Sequence, residues 1–129
     1  MSVGLKDLIA MAESGDANAQ FNVGVVYENL IDDTGGYGAK GNRAEAIKWL
    51  LQAAQQGLPR AQTRLAEIYA DGPDASGAHV QACTWFLVAA MGLSGAQREQ
   101  AQSGYDRISR HMAPARVAKA KRLARMWKP

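Results

Sequence analysis

His79 and Cys83 stand four residues apart, so on a helix they share a face, and an imidazole there could take the proton of a thiol. No second group nearby is placed to orient the imidazole. Cys83 also sits between Ala82 and Trp85, positions of a packing stripe described below, so a structural cysteine is the expected outcome. The same two side chains are too few for a closed zinc site, and His111 joins them by no defensible spacing. Neither catalytic residues, a metal site nor a cofactor is expected, and the chain is not expected to be an enzyme.

The segment Asp32-Asp33-Thr34-Gly35-Gly36-Tyr37-Gly38-Ala39-Lys40-Gly41 has the glycine content and lysine of a phosphate loop. It lacks the Ser or Thr after the lysine and the strand before it, and no acidic residue closes it as a calcium loop would require. An insert between helices is expected there. Trp49, Trp85 and Trp127 could stack on a ligand, but they recur on one face of their helices, which suits packing between helices.

Charge is distributed unevenly. The whole chain carries +3, whereas Arg107 to Pro129 carries eight Lys or Arg and no acid, leaving −5 on the remainder. A helix over Arg116 to Trp127 would carry Arg116, Lys119, Arg122 and Arg125 around the stripe Val117, Ala120, Ala124 and Trp127. Three readings of these cations stand. They form the solvated outer face of a closing helix, a surface for an acidic protein or for the acidic body of this chain itself, or a nucleic-acid contact with steep salt dependence. No base-stacking aromatics interleave with them, which disfavours the last.

The positioning elements follow from composition and repetition. Hydrophobic residues are 47% of the 129 residues, enough for a core, while charged residues are 21% and aromatics 7%. An alanine-rich, aromatic-poor core suits closely packed helices better than sheets. One cysteine excludes an intrachain disulfide and fits a reducing compartment. Lys6 and Asp7 interrupt the apolar N-terminus, so no signal peptide is visible, and a cytoplasmic location is expected with no membrane association.

Ala12, Gly15, Ala19, Val23, Gly24 and Tyr27 recur as Ala54, Gly57, Ala61, Leu65, Ala66 and Tyr69, an offset of 42 residues. Ala46, Trp49, Ala53 and Ala54 recur as Ala82, Trp85, Ala89 and Ala90, offset by 36, so the six extra residues fall in the loop from Leu30 to Gly41. Each unit reads as two helices, A over Asp16–Asn29 and Pro59–Ala70, B over Arg43–Gln56 and Ala78–Met91. Asn42 is the expected N-cap of the first B helix, and Gly57 and Gly92 are expected left-handed stops.

The pattern A-x-x-G-x-x-x-A-x-x-x-[LV]-[GA]-x-x-Y followed by A-x-x-W-x-x-x-A-A resembles the Sel1-like repeat, a relative of the tetratricopeptide repeat. The resemblance implies an all-α, α/α right-handed superhelix of antiparallel helix pairs. It spans residues 1–129 as a single domain: repeat 1 about 15–56, repeat 2 about 57–91, and a C-terminal capping pair about 95–127. An N-terminal half-repeat, Val3 to Ser14, precedes them. Departures occur at Leu30, where the family usually has Gly, and at Ala113, where a Ser or Thr cap precedes Pro114. Gln100 and Gly104 replace the Leu and Tyr of a third unit, making it a cap.

Such a resemblance implies a bacterial interaction scaffold or adaptor that binds a partner protein or peptide in the concave groove of its A helices. At about 100° per residue, Phe21, Val25 and Glu28 face away from the Val23/Tyr27 stripe, with Asn18 and Asn22 flanking. Thr63, Glu67 and Ala70 do so on the second A helix, with Arg60 and Arg64 alongside and Arg98 continuing the row. The partner-binding set is therefore Phe21, Asn22, Val25, Glu28, Arg60, Thr63, Arg64, Glu67 and Arg98. Two readings of Phe21 and Val25 are open: cover by the N-terminal helix or the long loop, or anchoring of a partner.

Overall fold

Gly15 and Gly57, the repeat-equivalent stops, both adopt the left-handed conformation, with φ of 103° and 96°. Around Gly15 the Asp16 N–H donates to the Met11 carbonyl (3.3 Å) and the Gly15 N–H to the Ala12 carbonyl (3.0 Å). Around Gly57 the Leu58 N–H donates to Ala53 (3.3 Å) and the Gly57 N–H to Ala54 (3.0 Å). These are matching Schellman closures, in which glycine lets the chain reverse and satisfy the last carbonyls of a helix. The 42-residue repeat thus persists down to individual hydrogen bonds.

The computed structural model describes residues 4–29, 40–72, 74 and 77–129. The helices are α1 (Leu5–Glu13), α2 (Ala17–Asn29), α3 (Lys40–Gln55), α4 (Pro59–Asp71), α5 (Ala78–Met91), α6 (Gly95–Ser109) and α7 (Pro114–Met126). No strand occurs among the described residues. Leu30 and the loop residues 31–39 lie outside them, so the expected insert is not described; Lys40 and Gly41 belong to α3. The helices form two compact units, Met1–Leu58 and Pro59–Pro129.

In the first unit α2 packs on both α1 and α3. Ala12, Ala19, Val23 and Trp49 form a buried cluster, with Leu8, Ile9 and Tyr27 against it. Small residues set the spacing between α2 and α3. A Cβ added at Gly24 would stand 2.7 Å from Leu50 Cγ and 3.3 Å from the Ala46 carbonyl oxygen. Asp16 caps α2, its Oδ1 accepting from the Ala19 N–H at 2.9 Å. Asn42, expected to cap the next helix, lies inside α3 instead.

A buried amide ties the three helices of this unit together. Gln20 is 3% exposed, and its Nε2 donates to the Ala12 carbonyl at 3.1 Å. Its Oε1 accepts from Gln56 Nε2 at 2.8 Å, and the same Gln56 nitrogen donates to the Gly15 carbonyl at 2.9 Å. Gln20 therefore satisfies a carbonyl at the α1 end while linking it to the end of α3.

In the second unit α5 is the hub, packed against α4, α6 and α7. Its sequence AHVQACTWFLVAAM holds no Lys, Arg, Asp or Glu, as a helix surrounded on several sides requires. The buried residues of its neighbours are mostly small or aliphatic: Ala61, Leu65, Ala66 and Ala70 with Gln62 on α4, Ala101, Gly104 and Ile108 on α6, Ala120 and Ala124 on α7. Ala70 was expected on an outward face and is 7% exposed. A Cβ at Gly104 would stand 2.5 Å from two atoms of the Phe86 ring. The missing tyrosine of the third unit thus leaves room for that ring. Gly92 ends α5 without a left-handed turn, at φ −100°, and its closest neighbour is Pro59, 3.0 Å from where a Cβ would sit.

Trp85 and Trp127 meet edge to face, their ring centroids 6.3 Å apart and their planes at 71°. Trp49 and Trp85 are 6% and 7% exposed, so these two rings pack within the units as expected.

Candidate functional site

The polar residues of α4 line an open hollow in the second unit. One part, of about 150 Å³, is bounded by Arg60, Thr63, Arg64 and Glu67 of α4 with Leu93, Gln97 and Gln100. A contiguous part, of about 320 Å³, continues along Glu67, Asp71, Gln100, Ser103, Gly104 and Arg107, and Phe86 of α5 also lines it. Thr63 points its hydroxyl back to the Pro59 carbonyl at 3.1 Å, and Arg64 pairs with Glu67 across one turn at 3.7 Å. The lining therefore combines guanidinium, carboxylate and amide groups.

Four of the expected residues, Arg60, Thr63, Arg64 and Glu67, are brought together here. Arg98 is exposed on α6 and is not part of the lining. The α6 contribution comes instead from Gln97, Gln100, Gly104 and Arg107, which the sequence reading passed over. Their spacing of three and four residues is the periodic signal that could have found them. In the first unit Phe21, Val25 and Glu28 are half-buried on α2 and Asn22 is exposed.

The His79 and Cys83 pair is separated by competing partners. His79 Nε2 lies 3.3 Å from the Gly72 carbonyl, and its Nδ1 lies 3.7 Å from Asp74. Asp74 is thus the orienting carboxylate that the sequence reading did not locate, but Arg116 occupies it. The Arg116 guanidinium forks onto both carboxylate oxygens, at 2.9 Å and 2.6 Å. The Cys83 thiol is buried and directed at Met112 Sδ, 3.5 Å away. Burial pushes its pKa up to about 11, so it stays protonated at neutral pH. A buried structural thiol is the outcome. Among the described residues no group of three His, Cys, Asp or Glu is placed to hold a metal ion.

The hydrogen bonds from Arg116 and from the His79 N–H hold the Asp74 carboxyl down, at a pKa of about 2. A depressed carboxylate favours the folded state above its unfolded pKa, and that contribution is lost as pH falls through the folded value. The clasp between Asp74 and α7 is therefore expected to persist to about pH 2. An NMR titration should place the Asp74 midpoint at about 2, and Arg116→Ala should return it toward the ordinary value of ~3.9. A midpoint unchanged by that substitution would contradict the pairing.

The Sel1 repeat model matches residues 17–58 and 59–92, together more than half of the chain. The chain belongs to the Sel1 repeat family. Its first match runs from the start of α2 through the Schellman turn at Gly57, and its second from Pro59 through Gly92, so the helix pairs α2–α3 and α4–α5 are the Sel1 repeats. The fold agrees with the crystal structure of a protective antigen present in uropathogenic Escherichia coli strains and displaying an SLR fold. That likeness has a TM-score of 0.74 at 24% identity, over 95% of this chain and 24% of the other. The chain thus spans about a quarter of the length of that relative. No curated protein matches it significantly. Sel1 repeats form a non-catalytic scaffold family that generally binds proteins. Among the described residues no helix is long and apolar enough to cross a membrane.

Proposed function

We propose that this Sel1 repeat chain is an interaction scaffold, and that the hollow along α4 and α6 receives a segment of a partner protein. The observation that carries the proposal is the convergence of Arg60, Arg64, Glu67, Gln97 and Gln100 on one open hollow beside Phe86. Side chains of both charges and two amides in one hollow can read a peptide's charged groups and its backbone. Both α4 and α6 rest on α5, so the hollow is formed before a partner arrives and little ordering cost falls on binding. Phe21, Asn22, Val25 and Glu28 on α2 form a second proposed contact patch, on the other unit. In this reading residues 1–129 serve as one interaction domain.

The test exchanges the charges of one ion pair. Arg64→Glu combined with Glu67→Arg keeps an opposite-charge pair across the turn while inverting what a partner meets. Partner affinity is expected to fall about 10- to 100-fold, the effect of losing one well-placed contact of ~1–3 kcal/mol. The melting temperature should stay within a few degrees of the parent's. Unchanged affinity in a folded double variant would remove the hollow from consideration.

A further inference from the structure

A second concavity lies on α5 and α7, lined by none of the residues of the hollow along α4. Its walls are Leu87 and Met91 of α5 and Ala124 of α7, flanked by Lys121 and Arg125, and its volume is about 330 Å³. Met91 is 63% exposed, so a large apolar side chain is held in water at the mouth of the groove. We propose that this groove is a docking site for an acidic amphipathic helix of a partner protein.

Charge settles the sign of the occupant. Both ionised residues in the lining, Lys121 and Arg125, are cations, and α7, which carries them, has no Asp or Glu. The α5 wall contributes no Asp, Glu, Lys or Arg. An occupant that covers Met91 therefore meets positive charge along the α7 side, and carboxylates beside its apolar residues complement it.

Backbone chemistry settles its form. Both walls are helices whose main-chain groups bond within their own turns, so the groove offers no strand edge to an extended peptide. A partner that carries its own backbone hydrogen bonds, as a helix does, leaves none unpaired. Leu87 and Met91, four residues apart, form a one-turn ridge against which a second helix can set an i, i+4 apolar pair. The unbranched Met91 thioether adapts to differently shaped side chains. Nucleic acid fits less well, because the lining has no aromatic ring and the Trp127 ring just past α7 already meets Trp85 edge to face.

The experiment titrates the full chain into a fluorescent helical peptide of roughly 18 residues, long enough to hold helix. The peptide carries Leu at i, i+3, i+4 and i+7 with Glu at the flanking positions. Parallel arms use the same peptide with Lys for Glu, single-stranded DNA, and anionic phosphatidylserine vesicles, since Leu123 and Met126 leave α7 some exposed apolar surface. The acidic peptide should bind most tightly and weaken with added salt. Lys121→Glu with Arg125→Glu should weaken it by about tenfold or more, and Met91→Asp should do likewise. All three positions are exposed, so the variants should keep the parent's helical circular dichroism. The Arg64/Glu67 exchange should leave this affinity unchanged, which separates the groove from the hollow on α4. Equal binding of the Lys peptide overturns the proposal. So does tighter binding of DNA or vesicles, or a Met91→Asp variant with unchanged affinity.

Discussion

Replacing Phe86 with alanine is expected to destabilise the Pro59–Pro129 unit by about 3–5 kcal/mol, a large share of a small domain's whole stability. The ring is 2% exposed, and α6 approaches it so closely that a Cβ at Gly104 would stand 2.5 Å away. Truncation removes the apolar contacts of the ring and leaves a cavity that the two helix backbones, held by their other contacts, close only in part. Gly104→Ala should destabilise the parent through overpacking, yet cost less in the Phe86→Ala background, where space has been opened. Urea unfolding of the four proteins measures both effects. A Phe86→Ala loss below about 1 kcal/mol would show that α5 and α6 are not packed through this ring.

Leu50→Ala is expected to cost the first unit about 2–5 kcal/mol, because Leu50 is fully buried beneath α2. The informative part is again the coupling. Alanine at Gly24 brings a helix-propensity gain of about 1 kcal/mol but drives its methyl to within 2.7 Å of Leu50 Cγ. In the parent the clash should dominate and Gly24→Ala should destabilise. Once Leu50 is alanine the clash is gone, though the Ala46 carbonyl stays 3.3 Å from the new methyl. The double variant should therefore be more stable than the sum of the single effects predicts. Additive values, measured by the same urea unfolding, would mean that α2 and α3 do not meet at this point.

Alanine and glycine made the helix pairs legible. The offset of 42 residues aligned Gly15 with the expected stop Gly57, and both are left-handed, while the Trp49 and Trp85 equivalence located the two B helices. Gly92 did not follow Gly57 into the left-handed conformation; what it shares with a stop position is close packing, with Pro59 3.0 Å from where a Cβ would sit. The Gln20 network also escaped. Hydropathy places glutamine at the surface, and its burial is explained by two partners on other segments, the Ala12 carbonyl and the Gln56 amide. Its trace in the sequence is the recurring Ala-Gln pair at 19–20, 61–62 and 96–97.

The site was half visible for the same physical reason. Helical angle alone puts Arg60, Thr63, Arg64 and Glu67 on one side of α4. Whether α6 answers with Arg98 or with Gln97 and Gln100 depends on its rotation about its own axis, which the Phe86 and Gly104 contact sets. Asp74 and Arg116, 42 residues apart, have no shared periodicity to announce their pairing. Of the α5–α7 groove the sequence showed only the cationic face of α7, because the pairing of α7 with Leu87 and Met91 of α5 follows no local pattern.

A partner polypeptide is expected to lie in the hollow along α4 and α6. Photo-crosslinking tests it most directly, with a photoreactive amino acid in place of Gln100 in one protein and Gln102 in another. Gln100 lines the hollow, whereas Gln102, two residues on and about 200° round the same helix, does not. On irradiation in the native cell, a discrete protein adduct is expected from position 100 and not from 102. Equal yields from both positions, or adducts from 102 alone, would contradict it.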